Sequence, residues 1–291
     1  MSAPKNHHYV PQSILKQFQS PEGQLYYFYK GSPEKPVIHR NTESIFKKRH
    51  LYSFTEKDGT KNSEVEATFF KDLDTNVDPI AKKIIANVRK ETLPNLTSEE
   101  KLLWNSFYIK QHSRVPERFF GGASDDILET TYEDTKGRIY DRCSPELQQM
   151  LDDPEFKKRL QEESKVKSLA SDLPESNDLL ERRGIFFVKI LDPKRSFIIG
   201  SNPLVRFNNS GSDHLADKAT ELWYPIAHDI AVSIGSYDER ETLFTLNDCV
   251  PHTNLIRKLN YYIFAQSNEI AGRSKTLIES ITRDFVRKSK K

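Results

Sequence analysis

Two adjacent histidines, His7 and His8, stand in NHHYVPQ just ahead of the first apolar segment. An imidazole titrates near neutral pH, so either ring can take or give a proton, or ligate a metal. Neighbouring side chains diverge in direction, so the two do not chelate one metal together. The plainer reading is a polar lead-in to the first helix, with both rings hydrogen-bonded to backbone. A carboxylate candidate follows in SEVEATFFKDLD, where Glu66, Phe69, Phe70 and Asp74 lie on or near one side of a helix. Glu66 and Asp74 are about two turns apart, too far for one carboxylate dyad. Glu66 is therefore the candidate for a composite site, and Asp74 reads as part of a solvated acidic face.

In YIKQHSRVPERF, Gln111 and Arg114 share a helical face, and Arg118 would follow one turn later if Pro116 did not interrupt. A guanidinium is a planar fork suited to phosphate or carboxylate. A helix C-terminus also favours basic residues for its own sake. His112 points away from that face. In FIIGSNPLVRF a β-run breaks at Gly-Ser-Asn-Pro and resumes. Such a break can aim Ser201 and Asn202 into a cleft, although Ser-Asn-Pro is ordinary turn chemistry too.

No compact catalytic motif competes with these scattered residues. The 11 glycines form neither GxGxxG nor GxxxxGK[ST], and GxSxG, HExxH and CxxC are missing. Hydride transfer, P-loop chemistry and classical zinc hydrolysis find no support. Cys143 and Cys249 are the only cysteines, which argues against a disulfide framework or a cysteine zinc site and fits a reducing compartment. The formal net charge is only +2, so binding to nucleic acid would need a local patch. No apolar run approaches a membrane span or a signal core, and the expectation is a soluble cytoplasmic protein with no membrane partner.

The elements that must position these residues can be read coarsely. Ile14, Leu15 and Phe18 share a face of a first helix that Pro11 opens. QLYYFYK, PVIHR and HLYSF read as strands of a small sheet or hairpin, with NTESIFKK as an inserted helix. Residues 62–92 read as a helix that Pro79 kinks or breaks. Thr97 and Glu100 form a capping-box pattern ahead of the helix that carries Gln111. Residues 123–182 are charged and helical with few apolar anchors, an excursion suited to a lid, an arm or a partner surface. From Gly184 the texture turns strand-like, through GIFFVKIL, SFIIG, PLVRF, LWYPIA and IAVSIGS. These predict a C-terminal antiparallel sheet, closed by helices over NLIRKLNYYIFAQ and EIAGRSKTLIESITRDFV. The expected fold class is α+β, with a helical middle between a small N-terminal strand region and the C-terminal sheet, all in one domain over residues 1–291.

Taken together, HHYVPQSILKQF, VEATFFKDLD, QHSRVPERF, FIIGSNPLVRF, LWYPIAHDIAVSIG and NLIRKLN resemble the bacterial domain-of-unknown-function family DUF4238, known for its HYVP motif. The likeness spans most of the chain, and HHYVP is its most specific piece. The resemblance implies that His8, Glu66, Gln111 with Arg114, and Asn202 with Pro203 belong to one site. Where the family commonly has Asp in the later turn, this chain has Ser201.

The residue set suggests a nuclease acting on RNA, of the kind found in bacterial anti-phage defence or toxin systems. His8, Glu66, Gln111 and Arg114 are the expected catalytic group. His8 serves as acid or base, Glu66 as its partner base or a metal ligand, and Arg114 with Gln111 as the phosphate clamp. His7, Arg118, Ser201 and Asn202 are expected to contact substrate, and Tyr26, Tyr27, Phe28 and Tyr108 to stack bases. A metal-independent route fits this set at least as well as a magnesium one, and no cofactor is implied. The competing reading is a binding or sensor module that docks a partner protein through residues 123–182 and holds a ligand or nucleotide in the polar cleft. A structural reading makes His8 an anchor for the first helix.

Overall fold

The computed structural model describes residues 6–119, 122–171, 180–208, 217, 219–235, 240–247 and 249–289. The chain begins with β1 (Asn6–His8) and α1 (Gln12–Lys16), then β2 (Leu25–Tyr29), β3 (Ile38–Arg40), β4 (Lys47–Arg49), β5 (Phe54–Thr55) and β6 (Lys61–Asn62). A π-helical turn at Glu66–Phe70 leads into α2 (Lys71–Arg89), which is followed by α3 (Ser98–Ser113) and the short α4 (Pro116–Phe119). The excursion holds α5 (Gly122–Ile139), α6 (Pro145–Asp152) and α7 (Pro154–Ala170). The last third contains β7 (Ile185–Ile190), β8 (Ile199–Gly200), β9 (Val205–Asn208), β10 (Thr220–Ala227), β11 (Ile230–Ile234) and β12 (Glu241–Leu246). It ends with α8 (Val250–Gln266), β13 (Glu269–Gly272) and α9 (Lys275–Ser289). The fold class is α+β.

A five-stranded sheet runs β12-β7-β11-β10-β9, antiparallel except at its edge, where β12 lies parallel to β7. β12 is ETLFTL, a strand the apolar pattern does not announce, because only Leu246 of it is buried. A four-stranded sheet runs β3-β2-β13-β8 and draws on both ends of the chain. β2 and β3 are thus not a separate hairpin, whereas β1 pairs with β4 and β5 with β6 in two-stranded sheets of their own. β2 is completed by β13, from EIAG, a stretch that reads as helix in isolation. Ile270 and Ala271 are buried there between β2 and β8, and that burial outweighs local helix propensity.

NTESIFKK is likewise not a helix. It makes turns and then β4, whose Lys47 and Lys48 lie opposite His8 and His7 of β1. Phe46 and His50 bracket β4 with φ of 51° and 56°, a left-handed backbone that ends any helix there. Pro79 does not break α2. Leu73, Val77, Ile80, Ile84, Ile85 and Val88 all bury one stripe of it, and Pro79 sits on the exposed side. The capping box forms as its spacing predicts: Thr97 Oγ1 accepts from Glu100 N–H at 3.2 Å, and Glu100 Oε2 accepts from Thr97 N–H at 2.8 Å. Thr97→Ala is expected to cost about 1 kcal/mol and to lower Tm by roughly 2 °C, measured by thermal unfolding.

One apolar core cluster runs from Tyr9 to Ile278. α3 supplies its centre with Trp104, Phe107 and Tyr108, and Tyr108 Oη donates to the Val232 carbonyl of β11 at 2.8 Å. Phe28 and Tyr108 are core residues, so neither can stack a base. The excursion is laced by surface ion pairs, such as Lys157 with Glu129 and Glu133 at 2.5 and 2.6 Å. It returns to the core through Val166 and Leu169 of α7. No helix among the described residues is long and apolar enough to cross a membrane.

Candidate functional site

The two histidines occupy β1, not a helix lead-in, and strand alternation sends them to opposite sides. His7 is fully buried: its Nδ1 accepts from the Tyr52 backbone N–H at 3.0 Å, and its ring stacks on Tyr52 at 5.7 Å. His8 is half-buried, with Gln12 Nε2 of α1 at 3.5 Å from its Nε2. Burial and the neighbouring Lys47 hold its pKa below the usual 6.5, partly offset by hydrogen bonds to the Thr42 and Glu43 backbone and by the charge of Asp74. His8 is therefore neutral at pH 7 and ready to accept a proton.

Arg114 is the hub beneath it. It is 0% exposed, as is Gln111. Its Nε and Nη2 donate to Gln111 Oε1 at 2.9 and 2.6 Å, and its Nη1 donates to Asp74 Oδ1 at 2.9 Å. Gln111 Nε2 in turn donates to the Tyr9 carbonyl at 2.8 Å, and Tyr52 Oη donates to the Arg114 carbonyl at 2.6 Å. The guanidinium thus ties α2 to the end of α3, and Gln111 extends the network to Tyr9, just after β1. Asp74, 29% exposed at its side chain, is the counter-ion of this buried cation and not a member of a solvated face.

Glu66 opens the π-helical turn, an irregularity frequent at functional sites. Its side chain is half-buried, and Oε2 is buried with no hydrogen-bond partner among the described residues. Burial lifts its pKa to about 7; Arg114 pulls the other way and Asp74 adds to the rise. Asp74 is itself held above the ordinary carboxylate range by burial, against the opposing pull of Arg114. The field of Asp74 reaches both Glu66 and His8, so one ion pair biases a carboxyl raised to about 7 and an imidazole held below its usual range.

The Ser-Asn-Pro turn and Glu117 of α4 form a second grouping, with the exposed Arg118 next to Glu117 in sequence. Ser201 Oγ donates to Glu117 Oε1 of α4 and accepts from the Asn268 and Glu269 N–H groups at 3.0 and 3.2 Å. The carboxylate beside this turn is therefore that of Glu117, from another element. Asn202 is buried, held by Ser267 and Gln266. Glu269 accepts from Tyr9 and Tyr27 at 2.7 and 2.8 Å, which joins this node to β1. Tyr27 is thereby a structural partner of Glu269. Arg118 is exposed, and burial beside Arg118 and Arg206 pushes His112 down to about 3.

Gln111, Arg114 and Asp74 form one hydrogen-bonded group, and the charge of Asp74 acts on both His8 and Glu66. His7 lies within the core, Ser201 and Asn202 belong to the neighbouring node, and Arg118 is exposed. Asp74, Tyr52, Gln12 and Glu117 are the participants the sequence reading misses. Of these, only Asp74 carries a signal, its place on or near the Glu66 side of the helix.

The chain belongs to the DUF4238 family. The family profile, described as a protein of unknown function, matches residues 6–276. In this DUF4238 protein the match reaches from β1 into the start of α9, so both polar groupings lie within it. No curated protein and no solved structure matches the chain.

Proposed function

We propose that the protein cleaves RNA by general acid–base catalysis at His8 and Glu66. The observation that supports this most is Glu66, a half-buried carboxyl with a pKa of about 7 and an oxygen unpartnered among the described residues. Such a group is half-protonated where the cell operates, the condition under which a side chain is most effective in proton transfer. His8, neutral at the same pH, is its complement.

RNA suits two proton-transfer groups because it carries its own nucleophile in the 2′-hydroxyl. His8 takes the 2′-hydroxyl proton as the oxygen attacks phosphorus, and Glu66 gives a proton to the departing 5′-oxygen. The products are a 2′,3′-cyclic phosphate and a 5′-hydroxyl, with one proton taken and one returned. In this reading Arg114 does not clasp the phosphate. It acts as a fixed cation that, with Asp74, sets the protonation of Glu66.

Purified protein is expected to cut single-stranded RNA, to leave matching DNA intact, and to act equally well in EDTA. The rate should follow a bell, rising through the lowered His8 pKa and falling near pH 7 as Glu66 ionises. His8→Ala should cost about 10²–10⁴-fold in rate while melting close to the wild type. Absence of cleavage across varied RNAs, or equal cleavage by His8→Ala, would refute the reading.

A further inference from the structure

A cavity of about 510 Å³ lies between the excursion and the N-terminal strands, and none of His8, Glu66, Asp74, Gln111 and Arg114 lines it. Its volume falls in the range of small-molecule sites, roughly 300–1,000 Å³. Part of its lining is apolar, from Leu51, Phe119, Leu128 and Val166. Lys61, Lys158 and Lys165 also line it, with the Ser53 hydroxyl, bonded to Ser63, and the Gln161 amide, which donates to Glu129.

The charge balance favours an anion. Asp125 and Glu162 also line the space, so three lysines face two carboxylates. Lys165 pairs with Asp125 at 2.5 Å, and Lys61 reaches Glu162 only at 4.0 Å. The Asp125 side chain is 61% exposed, and pairs of this kind contribute little and exchange readily for a better partner. Lys158, exposed on α7, makes no ion pair among the described residues. A phosphate dianion can engage several ammonium groups at once, and lysine binds phosphate as a point charge.

The walls of the cavity come from elements that tertiary packing alone brings together. His50 enters from the residue after β4. Across the space stands α7, docked to β5 through Thr55 Oγ1, which donates to Glu162 Oε2 at 3.2 Å. Apolar side chains, an amide, a hydroxyl and three ammonium groups around one space supply the chemistry that a base, its ribose and its phosphate call for. We infer that this cavity is a binding site for a free nucleoside 5′-monophosphate, held between the excursion and the N-terminal strands. The inference stands apart from the cleavage reaction, whose products carry 5′-hydroxyls.

The test is titration of the full chain with adenosine, guanosine, cytidine and uridine 5′-monophosphates by calorimetry, with adenosine and inorganic phosphate as controls. At least one monophosphate is expected to bind with a Kd on the order of 10 µM. Adenosine and inorganic phosphate should each bind at least about tenfold more weakly. Lys158→Glu and Lys61→Glu both alter exposed side chains. Each should lose at least about tenfold in affinity while melting as the wild type does. The proposal is overturned if none of the four binds, if inorganic phosphate binds as tightly as the nucleotide, or if both charge reversals bind like the wild type. RNA cleavage is not a readout here, so failure of the one proposal leaves the other standing.

Discussion

Arg114→Met is expected to lose about 3–5 kcal/mol of stability, a large share of what a typical domain has. The guanidinium is fully buried and donates three charge-assisted hydrogen bonds, one to Asp74 and two to Gln111. It also lies 5.4 Å from the Phe70 ring centre and 5.8 Å from that of Phe107. Methionine fills part of the space but leaves the Asp74 carboxylate without its cation and Gln111 Oε1 without a donor. The loss is mostly the cost of those abandoned partners, so Arg114→Met with Asp74→Leu should be less damaging than Arg114→Met alone. Denaturant unfolding of the two single variants and the double variant measures this coupling. A cost under 1 kcal/mol for Arg114→Met would show that the buried pair is not what joins α2 to α3. Arg118, only four residues on but exposed, belongs to the class of surface substitutions that usually stay within about 0.5 kcal/mol.

Glu66→Gln is expected to do two opposite things. It should abolish RNA cleavage, and it should stabilise the protein at alkaline pH. The folded-state pKa of Glu66 is about 7 against an ordinary 4.5, so the native state holds a proton that the unfolded chain releases. The stability due to the neutral carboxyl is complete below about pH 4.5 and is lost as pH rises through 7. The shift corresponds to about 3 kcal/mol at most, because one pKa unit is about 1.4 kcal/mol. Glutamine is neutral throughout. Its gain over the wild type should therefore be near zero at pH 4.5 and approach about 3 kcal/mol at pH 8.5. Denaturant midpoints at the two values decide the matter. A difference independent of pH would mean that Glu66 does not titrate near neutrality.

These two residues show how much of the site the sequence carries. Arg114 and Gln111 share a face in the sequence, and the structure places them in hydrogen-bond contact. Their burial was not legible, because helix spacing says which residues are neighbours but not which side faces the core. Asp74 was misread for the same reason: a lone acidic residue beside an apolar stripe looks solvated until a cation from another helix is brought to it. Glu66 was selected as a candidate from its type and place. Its raised pKa depends on how deeply a π-turn and the surrounding packing bury it, which no local pattern records.

The same division holds for the fold. The sequence by itself determined the α+β class, the capped start of α3, the charged helical excursion and most of the C-terminal strands. Those features follow from periodicity, capping and turn chemistry acting over a few neighbouring residues. Tertiary structure alone decided that EIAG is a strand, that NTESIFKK supplies β4, that Pro79 lies within α2, and that Arg114 faces Asp74 instead of solvent. In each case the local preference is worth a few kcal/mol at most, and the burial of Ile270, of the α2 stripe or of a paired cation outweighs it.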